Sequence, residues 1–104
     1  MDRISDERIA GQMKRFLVYF KEITSLMATN IYNANEEEIK ELVGTVSNGF
    51  ALIENKKDWF TQAENNKINE IYDKYQYNEI EEQDVKEIRL ILSRGVYRNT
   101  KIVI

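Results

Sequence analysis

Apolar residues recur every three or four positions along most of this chain, which is the spacing of an α-helix that buries one face. The first stripe consists of Ile9, Met13, Phe16, Phe20, Ile23 and Met27. Ser5 precedes it as a suitable N-cap, and Asp6 and Glu7 suit the positive end of a helix dipole. We therefore predict a first helix over residues 6–32.

A second stripe predicts a helix over residues 36–54, with Asn35 and Glu38 spaced as a capping box at its start. Its members are Ile39, Leu42, Val43, Val46, Phe50 and Ile53. The alternative is a β-hairpin that turns at Asn48-Gly49. The helix fits better because the strict alternation of a strand fails at Leu42-Val43.

Two further helices are predicted in the second half. A capping box from Thr61 to Glu64 begins a helix over residues 62–77, and the stripe of Val85, Ile88 and Leu92 predicts one over residues 81–94. Arg94 and Gly95 have the character of a helix end. Residues 96–104 are rich in Val, Ile, Tyr and Thr, so we predict an extended tail that pairs as an edge strand or packs across the helices.

These elements predict one all-α domain spanning residues 1–104. The chain has 104 residues, no proline and no linker rich in small residues, which fits one domain. The connections before the second and fourth helices are short, so each of those helices should run antiparallel to its predecessor. The predicted fold is a small up-down four-helix bundle with an extended C-terminal tail.

The composition argues against catalysis. The chain contains no cysteine and no histidine, which removes thiolate chemistry, disulfides, and the commonest general base and metal ligand. The segment from Gly44 to Gly49 lacks the lysine of a phosphate-binding loop. Clustered acids such as Glu37 and Glu38 stand where first helical turns favour negative charge. We expect no catalytic residue, no metal site and no cofactor.

The hydropathy and the residue bias of the sequence predict the cellular compartment and the source of the protein. Its apolar runs are much shorter than the roughly twenty residues of a membrane-spanning helix, and its polar start does not resemble a signal peptide. We therefore expect a cytoplasmic protein that does not bind membranes. The frequent Ile, Asn and Lys residues suggest an AT-rich gene, and hence a bacterial or phage origin.

Several apolar residues fall outside the predicted stripes and indicate binding to a protein. The predicted partner-binding residues are Val18, Tyr19 and Leu26 of the first helix, the adjacent pair Trp59 and Phe60, and Leu90 of the fourth helix. A first helix as long as predicted would also overhang so small a domain. We therefore predict a non-enzymatic protein-interaction module, a small regulator, inhibitor or immunity-type protein, that forms a homodimer and binds a protein partner.

The alternative function is nucleic-acid binding by the basic C-terminal region. Residues 86–101 carry five bases and one acid, although the whole chain has a net charge of −3. The residues that would bind phosphates and bases are Lys86, Arg89, Arg94, Tyr97, Arg98 and Lys101. Residues 62–84 carry seven acids and two bases. The competing explanation is therefore that the basic region pairs with this acidic segment, within the bundle or between subunits.

Overall fold

The computed structural model describes residues 5–28 and 36–104, and within them four α-helices form a bundle. The helices are α1 (Asp6–Ala28), α2 (Glu36–Asn55), α3 (Gln62–Gln76) and α4 (Glu82–Thr100), and a 3-10 turn over Lys57–Trp59 lies between α2 and α3. The predicted all-α four-helix architecture is confirmed. The predicted end of the first helix at residue 32 and the cap at Asn35 lie outside the described residues.

The predicted hairpin alternative is wrong, because α2 is one continuous helix through Asn48 and Gly49. Gly49 is buried against α1. A Cβ atom at this position would lie 2.8 Å from Cγ of Phe16. The glycine therefore allows a close approach of two helices and not a turn.

An aromatic cluster fills the centre of the bundle. Phe16 and Phe20 of α1 stack with ring centroids 5.4 Å apart, and the ring of Phe50 in α2 meets both edge-on. Tyr75 of α3 completes the cluster, 5.7 Å from Phe50. All three phenylalanines are less than 10% exposed. The described members of the first stripe therefore face the core, and so do Leu42, Val46, Phe50 and Ile53 of the second, whereas Ile39 is half-buried and Val43 is 40% exposed.

Local signals set both ends of α3. At its start, Thr61 Oγ1 accepts from the backbone N–H of Glu64, and Glu64 Oε1 accepts from that of Thr61, which is the predicted capping box. At its end, Asn78 adopts a left-handed φ of 57°. The N–H of Glu79 then donates to the carbonyl of Lys74 at 2.8 Å, which closes the last turn.

The predicted end of the fourth helix near Gly95 is wrong. Helix α4 continues to Thr100, so residues 96–100 are helical and not extended. Gly95 is buried beneath the ring of Phe60, where an added Cβ would lie 2.6 Å from Cδ1. At the end of α4 the residue with left-handed φ is Lys101, at 65°, and residues 101–104 follow the helix.

The helices alternate in direction. α1 packs against α2 on one side and against α4 on the other, and α3 packs against α4. Three ion pairs join α3 to α4: Lys74 to Asp84 at 3.2 Å, Lys67 to Glu87 at 3.0 Å, and Glu64 to Arg98. The side of α1 that meets α4 positions the candidate site.

Candidate functional site

A groove runs along the surface where α1 and α4 meet. It consists of two adjoining depressions, of about 340 and 400 Å³, that share Lys21, Val85 and Arg89. We call it the α1–α4 groove. Its further lining residues are Lys14, Leu17, Val18, Thr24 and Ser25 on α1, Ile80, Glu81, Glu82 and Lys86 at the start of α4, and Ile104 of the tail.

The helical repeat explains why these residues meet. Lys14, Val18 and Lys21 stand three or four positions apart on one face of α1, as do Val85 and Arg89 on α4. The two helices run antiparallel, so Ser25 lies towards the start of α4 and Lys14 towards its end.

The floor of the groove is apolar. Leu17, Val85 and Ile104 are half-buried and pack against the core, whereas Val18 is 57% exposed. Apolar surface left open to water in a concave place is a common mark of a binding site. The floor can therefore contribute hydrophobic contacts to a ligand.

The rim of the groove is basic. Lys14, Lys21 and Arg89 are exposed, and within residues 5–28 and 36–104 none has an acidic group within 4 Å. Among the described residues Lys86 forms an ion pair with Glu82, at 3.8 Å and on the surface. Three cations that form no ion pair with the described residues make this part of the groove attractive to an anionic ligand.

The outer face of α4 adjoins this rim. Leu90 is 53% exposed and Tyr97, two turns further, is 50% exposed. Lys86 and Arg94 lie one turn to either side of Leu90, and the ammonium group of Lys101 lies 5.3 Å from the Tyr97 ring centroid. This face combines apolar and cationic groups without forming a groove.

The structure separates the predicted partner-binding residues. Val18 and Leu90 are exposed on the α1–α4 side. Tyr19 and Leu26 are half-buried against the core, and Trp59 is also half-buried, with Lys56 over its ring at 5.5 Å. Phe60 is only 7% exposed, so its assignment to a surface is wrong: it is a core residue that covers Gly95.

The predicted nucleic-acid-binding residues are also divided. Lys86 and Arg89 line the groove, and Arg94 and Tyr97 lie exposed beside it. Arg98 instead joins elements: its guanidinium donates to both carboxylate oxygens of Glu64 and, at 3.0 Å, to the carbonyl of Trp59. Arg98 therefore links α4 to α3 and to the α2–α3 connection.

Sequence reasoning missed the contribution of α1 to the site. Lys14 and Lys21 have the ordinary polar character of a solvated helix face, and Leu17 lies next in sequence to Phe16 of the buried stripe. Their spacing shows that they share one side of α1. Only the packing shows that α4, with its basic residues, lies along that side.

The pKa shifts lie away from the groove. Burial acts to raise the pKa of Glu64, but hydrogen bonds from Arg98 and Thr61 and the charge of Arg98 together hold it below its ordinary value. The hydrogen bond to Asp84 raises the pKa of Lys74. Asp84 is 3% exposed and also accepts the N–H of Glu81 at 2.9 Å. These groups stabilise the α3–α4 pair.

Over 5–28 and 36–104, acidic side chains do not gather in threes as a metal ion would require. Nor does any helix in those ranges have the length and apolar character needed to cross a membrane. No protein-family model matches the chain, and neither a curated protein nor a solved structure is significantly similar to it.

Proposed function

We propose that this protein is a non-enzymatic interaction module, a small regulator, inhibitor or immunity-type protein acting in the cytoplasm of a bacterium. It binds a protein partner through the α1–α4 groove. The observation that carries the proposal is an apolar floor bordered by Lys14, Lys21 and Arg89, none of which is paired with an acid in the part of the chain described.

Two physical arguments support a protein partner. Burying the exposed surface of Val18 and its neighbours stabilises a complex by about 25 cal/mol for each Å² of apolar area removed from water. Cations around that area steer an acidic partner towards it and select against a basic one. A surface with both properties is better suited to binding a protein than to binding a small polar substrate.

The ionisable groups with shifted pKa values hold the helices together. The groups whose pKa is shifted include Glu64 and Lys74, which form ion pairs, and Tyr75, whose pKa is raised by burial in the aromatic cluster. None of these three lines the α1–α4 groove.

Capture of the partner from extracts of the source cells tests this function. We would compare the wild-type chain with a Lys21→Glu/Arg89→Glu double variant, and use Lys40→Glu as the control. Lys40 is an exposed lysine on α2, and in the described part of the chain it too has no ion pair. We expect one protein to be captured by the wild type and the control but not by the double variant, with or without nuclease. Identical capture by all three would contradict the proposal.

A second candidate function is nucleic-acid binding, and the exposed Tyr97 beside Arg94 favours it. An aromatic ring next to cations can stack on a base while the cations contact phosphates. In this case, single-stranded oligonucleotides should bind at low salt, and binding should weaken steeply as salt rises. Arg94→Glu should abolish binding. An absence of binding at 20 mM salt would remove this candidate.

We also propose that the chain forms a homodimer through the outer face of α4. Leu90 and Tyr97 are each about half exposed and lie two helical turns apart on this face, and neither lines the α1–α4 groove. Two-fold dimers are the commonest way for a small domain to bury such a surface.

A further inference from the structure

The tail of the chain indicates what kind of ligand the α1–α4 groove accepts. After Lys101, residues Ile102 and Ile104 are half-buried whereas Val103 is 82% exposed. This alternation is that of an extended segment, whose successive side chains point in opposite directions. Ser93 donates a hydrogen bond to the carbonyl of Ile104 at 3.4 Å, and Ile104 lines one end of the groove. Alternate apolar residues of the tail therefore already pack at this end.

The groove continues beyond Ile104 towards the start of α4. Along α1 it is lined from Lys14 to Ser25, and its far end is lined by Glu82 and Ile80. Lys14 and Ser25 are eleven positions apart, and at 1.5 Å per residue this part of α1 is about 16 Å long. An extended peptide advances about 3.3 Å per residue, so about five residues would fill it.

The charged residues that border the groove determine the charge of the peptide it would bind. Lys14 and Lys21 border the groove from α1, and Arg89 borders it from α4. The acids of the groove, Glu81 and Glu82, stand together at its far end. Long basic side chains reach above an apolar floor while their stems pack along it. Apolar side chains of the peptide would face the floor, and acidic ones would face the ammonium and guanidinium groups.

We propose that the α1–α4 groove binds an extended segment of its partner, about five residues long, in which acidic residues alternate with apolar ones. The inference rests on the proposed function and specifies its ligand. The segment lies in line with the tail, between Ile104 and Ile80, and leaves Ile104 in place.

Fluorescence anisotropy with a synthetic peptide tests the inference. The probe is a fluorescein-labelled hexapeptide of alternating leucine and glutamate, and the control peptide has glutamine in place of glutamate. We expect the glutamate peptide to bind the wild type and Lys40→Glu equally. The Lys21→Glu/Arg89→Glu double variant should bind the glutamate peptide at least tenfold more weakly than the wild type does. The wild type should bind the glutamine peptide at least tenfold more weakly than the glutamate peptide. Both altered side chains are exposed, and circular dichroism would check the fold of each variant.

Two further variants probe the floor and the sign of the charge. Val18→Ser removes exposed apolar surface without changing charge, and it should weaken binding several-fold. The double variant should instead bind a peptide of alternating leucine and lysine more tightly than the wild type does. This reciprocal exchange would show that the rim selects its ligand by charge.

Three results would overturn the inference: equal affinity of the double variant and Lys40→Glu for the glutamate peptide, equal affinity of the wild type for both peptides, or displacement of the peptide by a short oligonucleotide that binds more tightly. The proposed function can be judged separately. If a whole protein is captured only when the groove is intact but the peptide does not bind, the function stands and the extended acidic ligand is wrong.

Discussion

Two glycines inside helices are each covered by a phenylalanine ring. Phe16 of α1 lies over Gly49 of α2, and Phe60 of the α2–α3 connection lies over Gly95 of α4. Neither glycine has a positive φ, so neither provides a turn. Each instead gives a ring a flat surface on the helix backbone, which a side chain at that position would block.

We predict that Gly95→Ala destabilises the protein although alanine favours helices. The new Cβ would lie 2.6 Å from Cδ1 of Phe60, and overpacking of this kind costs about 1–3 kcal/mol. Gly44→Ala is the matched control, because an added Cβ at Gly44 in α2 meets nothing within 4 Å. The control should gain up to about 1 kcal/mol from helix propensity alone. Urea unfolding measures both, and equal gains would show that Phe60 does not cover Gly95.

The Glu64–Arg98 pair predicts a dependence of stability on pH. Because the folded-state pKa of Glu64 lies below its ordinary value of 4.5, its contribution is present above about that pH and is lost as the pH falls through the folded-state pKa. Glu64→Gln should therefore reduce the fall in unfolding free energy between pH 5 and pH 3. Arg98→Gln, which removes the partner, should reduce it too, and the double variant should add little. An unchanged acid slope in both single variants would contradict this prediction.

At the scale of the elements, residues close in sequence determine where helices begin, and distant contacts determine where α4 ends. The predicted bounds of α2 and α3 are within one residue of those observed, because caps and stripes are local signals. The end of α4 was not predictable in this way. Gly95 and Arg94 together resemble a helix end, but Phe60, 35 positions earlier, uses the glycine as a packing surface.

We predict that Lys101→Gly is more stable than Lys101→Ala by about 1 kcal/mol, because a left-handed φ is costly for every residue that has a Cβ. The φ of Lys101 is 65°. Both substitutions remove the contact of the ammonium group with the Tyr97 ring, so their difference isolates the backbone. Thermal unfolding gives the comparison. If the two variants melt together, α4 does not end at Lys101 in a left-handed turn.

At the scale of the whole molecule, the candidate site is a product of helix packing. Sequence reasoning identified Val18, Lys86 and Arg89, but it assigned Val18 to a protein surface and the two bases to a nucleic-acid surface. The structure brings all three to the same groove. Lys14 and Lys21 were overlooked because a solvated helix face carries lysines whether or not another helix lies beside it. The direction and neighbour of each helix were the missing information.

Salt dependence should distinguish self-association from nucleic-acid binding. A two-fold contact through Leu90 and Tyr97 brings Lys86 and Arg94 of each copy close to the same cations of the other. Screening of this repulsion should strengthen the dimer between 50 and 500 mM salt, whereas it should weaken binding to phosphates. Sedimentation equilibrium would measure the first effect. Leu90→Gln should shift the protein towards monomer, and a wild-type monomer at both salt concentrations would contradict self-association through this face.

The three ion pairs between α3 and α4 also have a kinetic consequence. Their partners are 10, 20 and 34 positions apart in the chain, beginning at the α3–α4 connection. Closing a longer loop costs more entropy, by about 0.6 kcal/mol for each doubling. The two helices are therefore expected to associate from their connection outwards during folding. Asp84→Asn should slow refolding, whereas Glu64→Gln should mainly speed unfolding, and stopped-flow kinetics would show the difference.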